Sequence, residues 1–182
     1  MSENTGDHSR ALLDAADGLG HEARADQTDH AALKLWLRML ACTTQIEDEI
    51  RRRLRARFDT TLPRFDYLAQ LYRQPEGLRM KDLSSYLMVT GANVTGLTDE
   101  LARDGLVERI ASATDRRSFI VALTPKGRQQ FEAMAQEHEA WILELLGVLP
   151  AKTIQALHTE LGRLRVHLLS TSQNPLQTSN PE

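Results

Sequence analysis

The chain is poorest in cysteine: Cys42 is alone among 182 residues, which excludes an internal disulfide framework and any zinc site built on paired CxxC motifs. Its six histidines fall into no HExxH or comparably spaced set, so neither a metal nor any other cofactor is expected. Long apolar runs are missing too. None approaches the ~18 residues that span a bilayer, and the polar start MSENTGDHSR does not read as a signal peptide. The expected location is therefore the cytoplasm, away from membranes. Also absent are a Gly-rich phosphate loop, a nucleophile elbow and a paired catalytic carboxylate motif, which leaves an enzymatic reading without machinery.

What remains is 41% apolar and 26% charged, the balance of a globular domain with room for a core. The formal charge of −3 argues at first against nucleic acid, because DNA-binding domains are usually basic. Divided along the chain, the charge says otherwise. Residues 1–30 carry a net −5, residues 31–130 a net +5, and residues 131–182 a net −3. A basic middle between acidic ends is compatible with phosphate contact.

Residues 1–30 are polar and acidic and read as a disordered tail, and residues 170–182 as a disordered end. Between them, Trp36, Leu40, Thr43, Ile46, Ile50, Leu54 and Phe58 recur every three or four residues, which predicts one long helix over 31–58. Its early part, LKLWLRMLAC, is apolar nearly all round and needs cover from two directions. Pro63 suits the first turn of a second helix, with Phe65, Leu68 and Leu71 inward. Two short helices follow over 81–88 and 92–104, separated by Val89-Thr90-Gly91. Leu83 and Leu87 face inward in the first of them, and Val94, Leu97 and Leu101 in the second. Gly105 is a natural C-terminal stop. The period then changes: 106–110 and 119–123 form a β-hairpin with a long charged tip. Thr124-Pro125 is an N-cap with proline at N1. The last two helices follow, one marked by Phe131, Met134, His138, Trp141, Leu145 and Val148, the other by Ile154, Leu157, Leu161, Leu164 and Leu168.

A short helix pair running directly into a hairpin describes a winged helix-turn-helix. In that geometry the second helix enters the major groove with its N-terminal residues while the hairpin tip reaches the minor groove. The residues carry a resemblance as well. DELARDGLVER, the wing Asp115-Arg116-Arg117 and the exit VALTPKG, in that order and spacing, are similar to the MarR family, over about 31–168. Within it, LWLRML, FDTTLPRFDYLAQL and LMVTGANVTGLTDEL look most like repressors of aromatic-acid catabolism. The resemblance implies a mainly α fold with a small β-hairpin wing, a winged helix-turn-helix lobe over 63–124 and dimerisation helices over 31–58 and 125–169. It further implies a homodimer without enzymatic activity that binds double-stranded operator DNA and is released by a small aromatic acid or its CoA thioester.

Candidate DNA contacts follow from the residue types. Asn93 pairs in two-pronged fashion with adenine, and Thr95 offers a hydroxyl or a methyl group to thymine. Gly96 lies beside them, and Ser84 and Thr90 complete the set on the first helix and in the turn. Gly96 and Glu100 stand where relatives often carry basic residues, which shifts weight from guanine readout to DNA shape. At the wing, the resemblance implies that Asp115 structures the tip while Arg116 and Arg117 serve the minor groove. The five arginines of 51–57 read more as a solvated helix face than as phosphate contacts. For the effector, Arg38 inside an apolar stretch needs an anion, either a protein carboxylate or a ligand. Trp36, Met39 and Leu40 beside it, with Arg64, Phe65 and Leu68 beyond the helix break, are the candidate pocket residues, and all of them serve equally as core. Two other readings compete: a helical dimer that binds aromatic ligands without DNA, and a redox-sensing regulator using Cys42, whose apolar setting disfavours reactivity.

Overall fold

The computed structural model describes residues 31–87, 91–111 and 119–172, with the side chains of Gly91 and Ala92 left aside. Helix α1, Ala31–Phe58, stops at Asp59, whose φ of 49° is left-handed; the Asp59 N–H still reaches the Arg55 carbonyl at 3.1 Å. Asp is one of the few residues that tolerate that conformation. Helix α2, Leu62–Tyr72, then starts with Thr61 at the N-cap and a proline in its first turn, as the sequence implies. Phe65, Tyr67, Leu68 and Leu71 form its buried face.

The chain turns at Gly77, where φ is +80° and an added Cβ would lie 2.5 Å from the Val121 carbonyl oxygen. Only glycine fits so close to another backbone. That approach creates a feature the sequence does not announce: Leu78–Arg79 is a two-residue strand, β1, pairing antiparallel with Val121 and Ile120. Two residues are too few to show any alternation. Helices α3, Met80–Leu87, and α4, Gly91–Arg103, follow. Leu106 N–H bonds the Leu101 carbonyl at 2.9 Å and Gly105 N–H bonds Ala102 at 3.0 Å, with Gly105 at φ 71°, so α4 ends in a Schellman motif.

Strands β2, Val107–Ala111, and β3, Phe119–Leu123, pair antiparallel with Val107 opposite Leu123. The sheet order is β1-β3-β2, so the hairpin is the wing of a three-stranded sheet. At the exit, Thr124 Oγ1 donates to the Gly105 carbonyl at 2.7 Å and accepts from the Gly127 N–H at 3.0 Å. One hydroxyl thus joins the end of α4 to the start of helix α5, Pro125–Leu146. Helix α6 covers Ala151–Ser172.

The chain divides into two compact units, Met1–Gln136 and Glu137–Glu182. The boundary falls inside α5 rather than at its start, because Phe131 and Met134 belong to the first core. There the Phe131 ring lies 5.5 Å from Phe65 and 4.9 Å from Tyr72, and Tyr72 donates to Glu132 at 3.0 Å. Ile50, Leu54, Leu83, Val94, Leu101, Leu106 and Val121 complete that core. In the second unit, Ile154, Leu157, Leu161 and Leu164 recur along α6 and are all exposed.

One boundary needs correcting, and one stretch expected to be covered is open in the single chain. Burial along α1 begins only at Ile50; Leu33, Leu35, Trp36 and Leu40 are exposed, and so is Cys42. Cover for LKLWLRMLAC does not come from the described chain itself. The C-terminal helix also outlasts the expected start of disorder at residue 170. Ser170 and Thr171 return their hydroxyls to the His167 carbonyl at 2.7 and 3.2 Å, which lets polar residues continue the helix. No single helix among the described residues is long and apolar enough to cross a membrane.

The corner at Gly127 is the tightest packing of the lobe: a Cβ there would stand 1.9 Å from the Leu106 carbonyl oxygen. Gly127→Ala is expected to destabilise the protein by about 1–3 kcal/mol, because backbone, not a flexible side chain, is what would have to yield. A thermal melt checks this; an unchanged midpoint would contradict the corner geometry.

Candidate nucleic-acid interface

Helix α4 has a buried stripe and a presented face, fixed by helical periodicity. Val94, Thr98 and Leu101 are buried, while Asn93, Thr95, Gly96, Asp99 and Glu100 are exposed. The buried stripe contains a hydroxyl. Thr98 Oγ1 donates to the Val94 carbonyl at 2.6 Å and lies 2.5 Å from the Tyr67 hydroxyl of α2. Since the single threonine proton goes to Val94, Tyr67 is the donor in the second bond. Burial pushes the Tyr67 phenol above its usual range, so it stays a donor at any ordinary pH.

Charges hold α4 on both flanks. Arg109 of β2 pairs with Asp99 on one side, and Arg64 of α2 pairs with Asp104 and approaches Glu100 at 3.9 Å on the other. The Arg64 guanidinium holds the Asp104 carboxyl below the usual range. Lys126 caps the helix end by donating to the Asp104 carbonyl at 2.7 Å. The charge of Glu100 is thus answered from within the fold, by Arg64.

A cavity of about 510 Å³ opens between α2 and α4, lined by Pro63, Asp66, Leu87, Asn93, Gly96, Leu97 and Glu100. Asn93, Gly96, Leu97 and Glu100 follow i, i+3, i+4, i+7 spacing, one flank of α4. Asp66 is half-buried, and its burial, together with nearby Glu47, raises its carboxyl pKa while Arg51 opposes the rise. An added Cβ at Gly96 would meet nothing within 4 Å. The lining is apolar with two carboxylates and one amide, and among the described residues no Lys or Arg belongs to it.

Of the DNA candidates, Asn93, Thr95 and Gly96 stand on the presented face, and Ser84 is half-buried on α3. Thr90, Asp115, Arg116 and Arg117 lie outside the described residues. The seven effector candidates are not assembled. Phe65 and Leu68 are core, Arg64 is held by α4 acids, and Trp36, Arg38 and Leu40 are exposed on α1, with Met39 half-buried among them. None of the seven lines the cavity, although their neighbours Pro63 and Asp66 do.

The arginine run reads as a solvated face. Arg51 pairs with Glu47 and Asp48, and Arg52 and Arg53 share Glu49 at 2.5 and 2.6 Å. The residues that sequence reasoning passed over are Thr98, with its partner Tyr67, and Asp66. Thr98 was findable, since it falls on the Val94–Leu101 stripe where a threonine needs a partner. Asp66 carries no local signal.

The model of the MarR family matches residues 58–118. The transcriptional activatory protein BadR of Rhodopseudomonas palustris is 34% identical over 126 residues, covering 68% of this chain and 71% of that one. Among solved structures, AbsC of Streptomyces coelicolor superposes with a TM-score of 0.68 at 22% identity, over 80% of this chain and 98% of that one. A MarR family transcriptional regulator from Silicibacter pomeroyi gives 0.62 at 31% identity, over 80% and 99%. The MepR–DNA complex of S. aureus gives 0.62 at 24%, over 78% and 99%.

Two measurements test this geometry. Thr98→Val strands the buried Tyr67 hydroxyl and is expected to cost about 1–3 kcal/mol, against about 1 kcal/mol for Tyr67→Phe. The double variant should cost less than the sum, because neither partner is then stranded; additive losses in urea unfolding would dissolve the pair. In α1, hydrogen bonds from Arg52 and Arg53 hold the Glu49 carboxyl down at about 2. Its contribution is present above the ordinary carboxylate range and is lost as pH falls through about 2. A carboxyl NMR titration should place that midpoint, and Arg52→Gln with Arg53→Gln should return it to the ordinary range.

Proposed function

The chain belongs to the MarR family of transcriptional regulators, and we propose that it acts in the cytoplasm as a homodimer that represses an aromatic-compound degradation operon. In this reading it leaves a near-palindromic operator when an aromatic carboxylate or its CoA thioester binds. The observation that carries the reading is α4: a short helix braced by α3, followed directly by a hairpin, with Asn93 and Thr95 presented near its N-terminus. That is the arrangement in which a recognition helix reads base edges. Arg116 and Arg117, with Asp115 to shape the tip, are assigned to the neighbouring minor groove, and Ser84 and Thr90 to the DNA side of the helix pair.

The dimer is supported by apolar surface that the described chain does not bury. Ile154, Leu157, Leu161 and Leu164 on α6 and Leu33, Trp36 and Leu40 on α1 are between 39% and 54% exposed. Full burial of such a side chain is worth about 1.5–3 kcal/mol relative to full exposure, so at half exposure each forfeits about half of that, a loss that a second copy removes. The cavity between α2 and α4 has the size of a small-molecule site. Asp66 and Glu100 in the lining repel a free carboxylate, and a CoA thioester brings phosphate charges of its own, so both effector forms belong in the test. Arg38, with Trp36, Met39 and Leu40, is assigned to a wall that only the dimer completes.

A second reading concerns the sign of regulation. The relative at 34% identity is named an activatory protein, so activation of the target operon is the alternative to repression.

Sedimentation at micromolar concentration is expected to give twice the chain mass, and a clean monomer would overturn the architecture. In a gel shift with DNA from upstream of its own gene, Thr95→Ala should weaken specific binding more than binding to random DNA. Arg117→Ala should weaken both and flatten the salt dependence by ~0.9 in the log–log slope per lost contact. Parent-like binding by both variants would refute the interface. Calorimetry with benzoate, hydroxybenzoates, hydroxycinnamates and their CoA thioesters identifies the effector class; heat from none of them removes the effector reading. A reporter strain lacking the gene separates the signs: repression predicts higher operon expression, activation lower.

A further inference from the structure

Arg64 is placed oddly for a residue serving stability. It sits at the start of α2 with 20% of its side chain exposed, its Nη2 pairs with Asp104, and its Nη1 lies 3.9 Å from Glu100. Its Nε is buried and meets no acceptor among the described residues. Leaving a buried donor unmet is costly, and a lysine pairing with Asp104 would avoid that cost. What the guanidinium fork does, and a lysine does not, is span two carboxylates four residues apart, one on each of two successive turns of α4. Glu100, one of the two, is also part of the cavity wall, beside Asn93, Gly96 and Leu97.

We propose that Arg64 is a positioning residue for the DNA-reading helix. It sets the tilt of α4 through Glu100 and Asp104 without touching DNA, and Glu100 makes that hold sensitive to what occupies the cavity. The proposal rests on the reading of α4 as the recognition helix and of the cavity as the effector site. With the cavity empty, both carboxylates answer Arg64. An anionic occupant that displaces Glu100 by like-charge repulsion leaves Asp104 as the single tie, and α4 is then held at one turn instead of two. Because Thr98 fixes the middle of the helix against Tyr67, the freed motion is a pivot about that point, which moves Asn93 and Thr95 at the N-terminal end. A dimer needs both recognition helices in register with both half-sites, so a small pivot is felt twice. The ligand need only prefer the pivoted state.

The test uses the full-length protein, fluorescence anisotropy with DNA from upstream of its own gene, and benzoyl-CoA as probe. Asp104→Asn is the informative variant because the two explanations predict opposite signs. Removing a negative charge beside DNA should tighten binding by simple electrostatics. Loss of positioning should weaken operator binding by about tenfold while random DNA is bound as before. Arg64→Lys should show the same selective loss, with a melting midpoint within about 2 °C of the parent. The exchanged pair Arg64→Asp with Asp104→Arg should recover much of it. Operator binding by Asp104→Asn as tight as the parent's, or tighter, overturns the positioning role. For Glu100→Gln, the ratio of operator affinity without and with saturating benzoyl-CoA should fall close to one. A parent-like ratio overturns the link through Glu100. If benzoyl-CoA fails to release the parent, the effector reading falls instead, and the Asp104→Asn comparison still decides the role of Arg64.

Discussion

Everything about the lobe depends on one buried hydroxyl pair. Tyr67 gives its proton to Thr98, and Thr98 gives its own to the Val94 carbonyl one turn earlier in the same helix. A buried polar network is tolerated only when each member is satisfied, and this one closes. The consequence is orientational: apolar packing alone lets a short helix rotate or slide at modest cost, whereas a hydroxyl pair admits one register. That fixed rotation is what keeps Asn93 and Thr95 exposed and Val94 and Leu101 buried. The Schellman end at Gly105 and the Lys126 bond to the Asp104 carbonyl then fix its length.

Part of the charge is answered within the fold. Arg51, Arg52 and Arg53 are matched by acids of their own helix, Arg109 by Asp99, and Arg64 by Asp104. The net +5 of the central segment is the surplus left after its acids are counted, so these pairs leave it in place. What they fix is which arginines hold the fold and which remain to attract phosphate.

The sequence was most legible where a single local rule governs. The α1 break at Asp59–Pro63, the stop at Gly105 and the Thr124-Pro125 helix start each depend on a few neighbouring residues, and each is where the pattern places it. The exposed face of α4 was legible for the same reason: helical periodicity fixes which residues share a side. Strand β1 was not legible, because its existence depends on Gly77 letting the backbone meet Val121 more than forty residues away. The cavity between α2 and α4 was not legible for a related reason. Aromatic and Met side chains beside Arg38 and Arg64 suggested a ring site, but the same composition builds a core or an open surface. Only the tertiary arrangement separates them, putting Phe65 and Leu68 in the core and opening the cavity beside Asp66.

Gly96 belongs to two surfaces at once. It lies on the presented face of α4 and on the cavity wall, and a side chain there would meet no atom of the fold within 4 Å. Substitution at this position is thus nearly free of folding cost, which makes it an open door for divergence. The door leads into two rooms: any side chain added there extends the exposed face of α4 and narrows the cavity behind it. On the proposed reading of that face and that cavity, a new operator acquired through position 96 brings an altered taste in ligand with the same mutation, and signal and target change hands together.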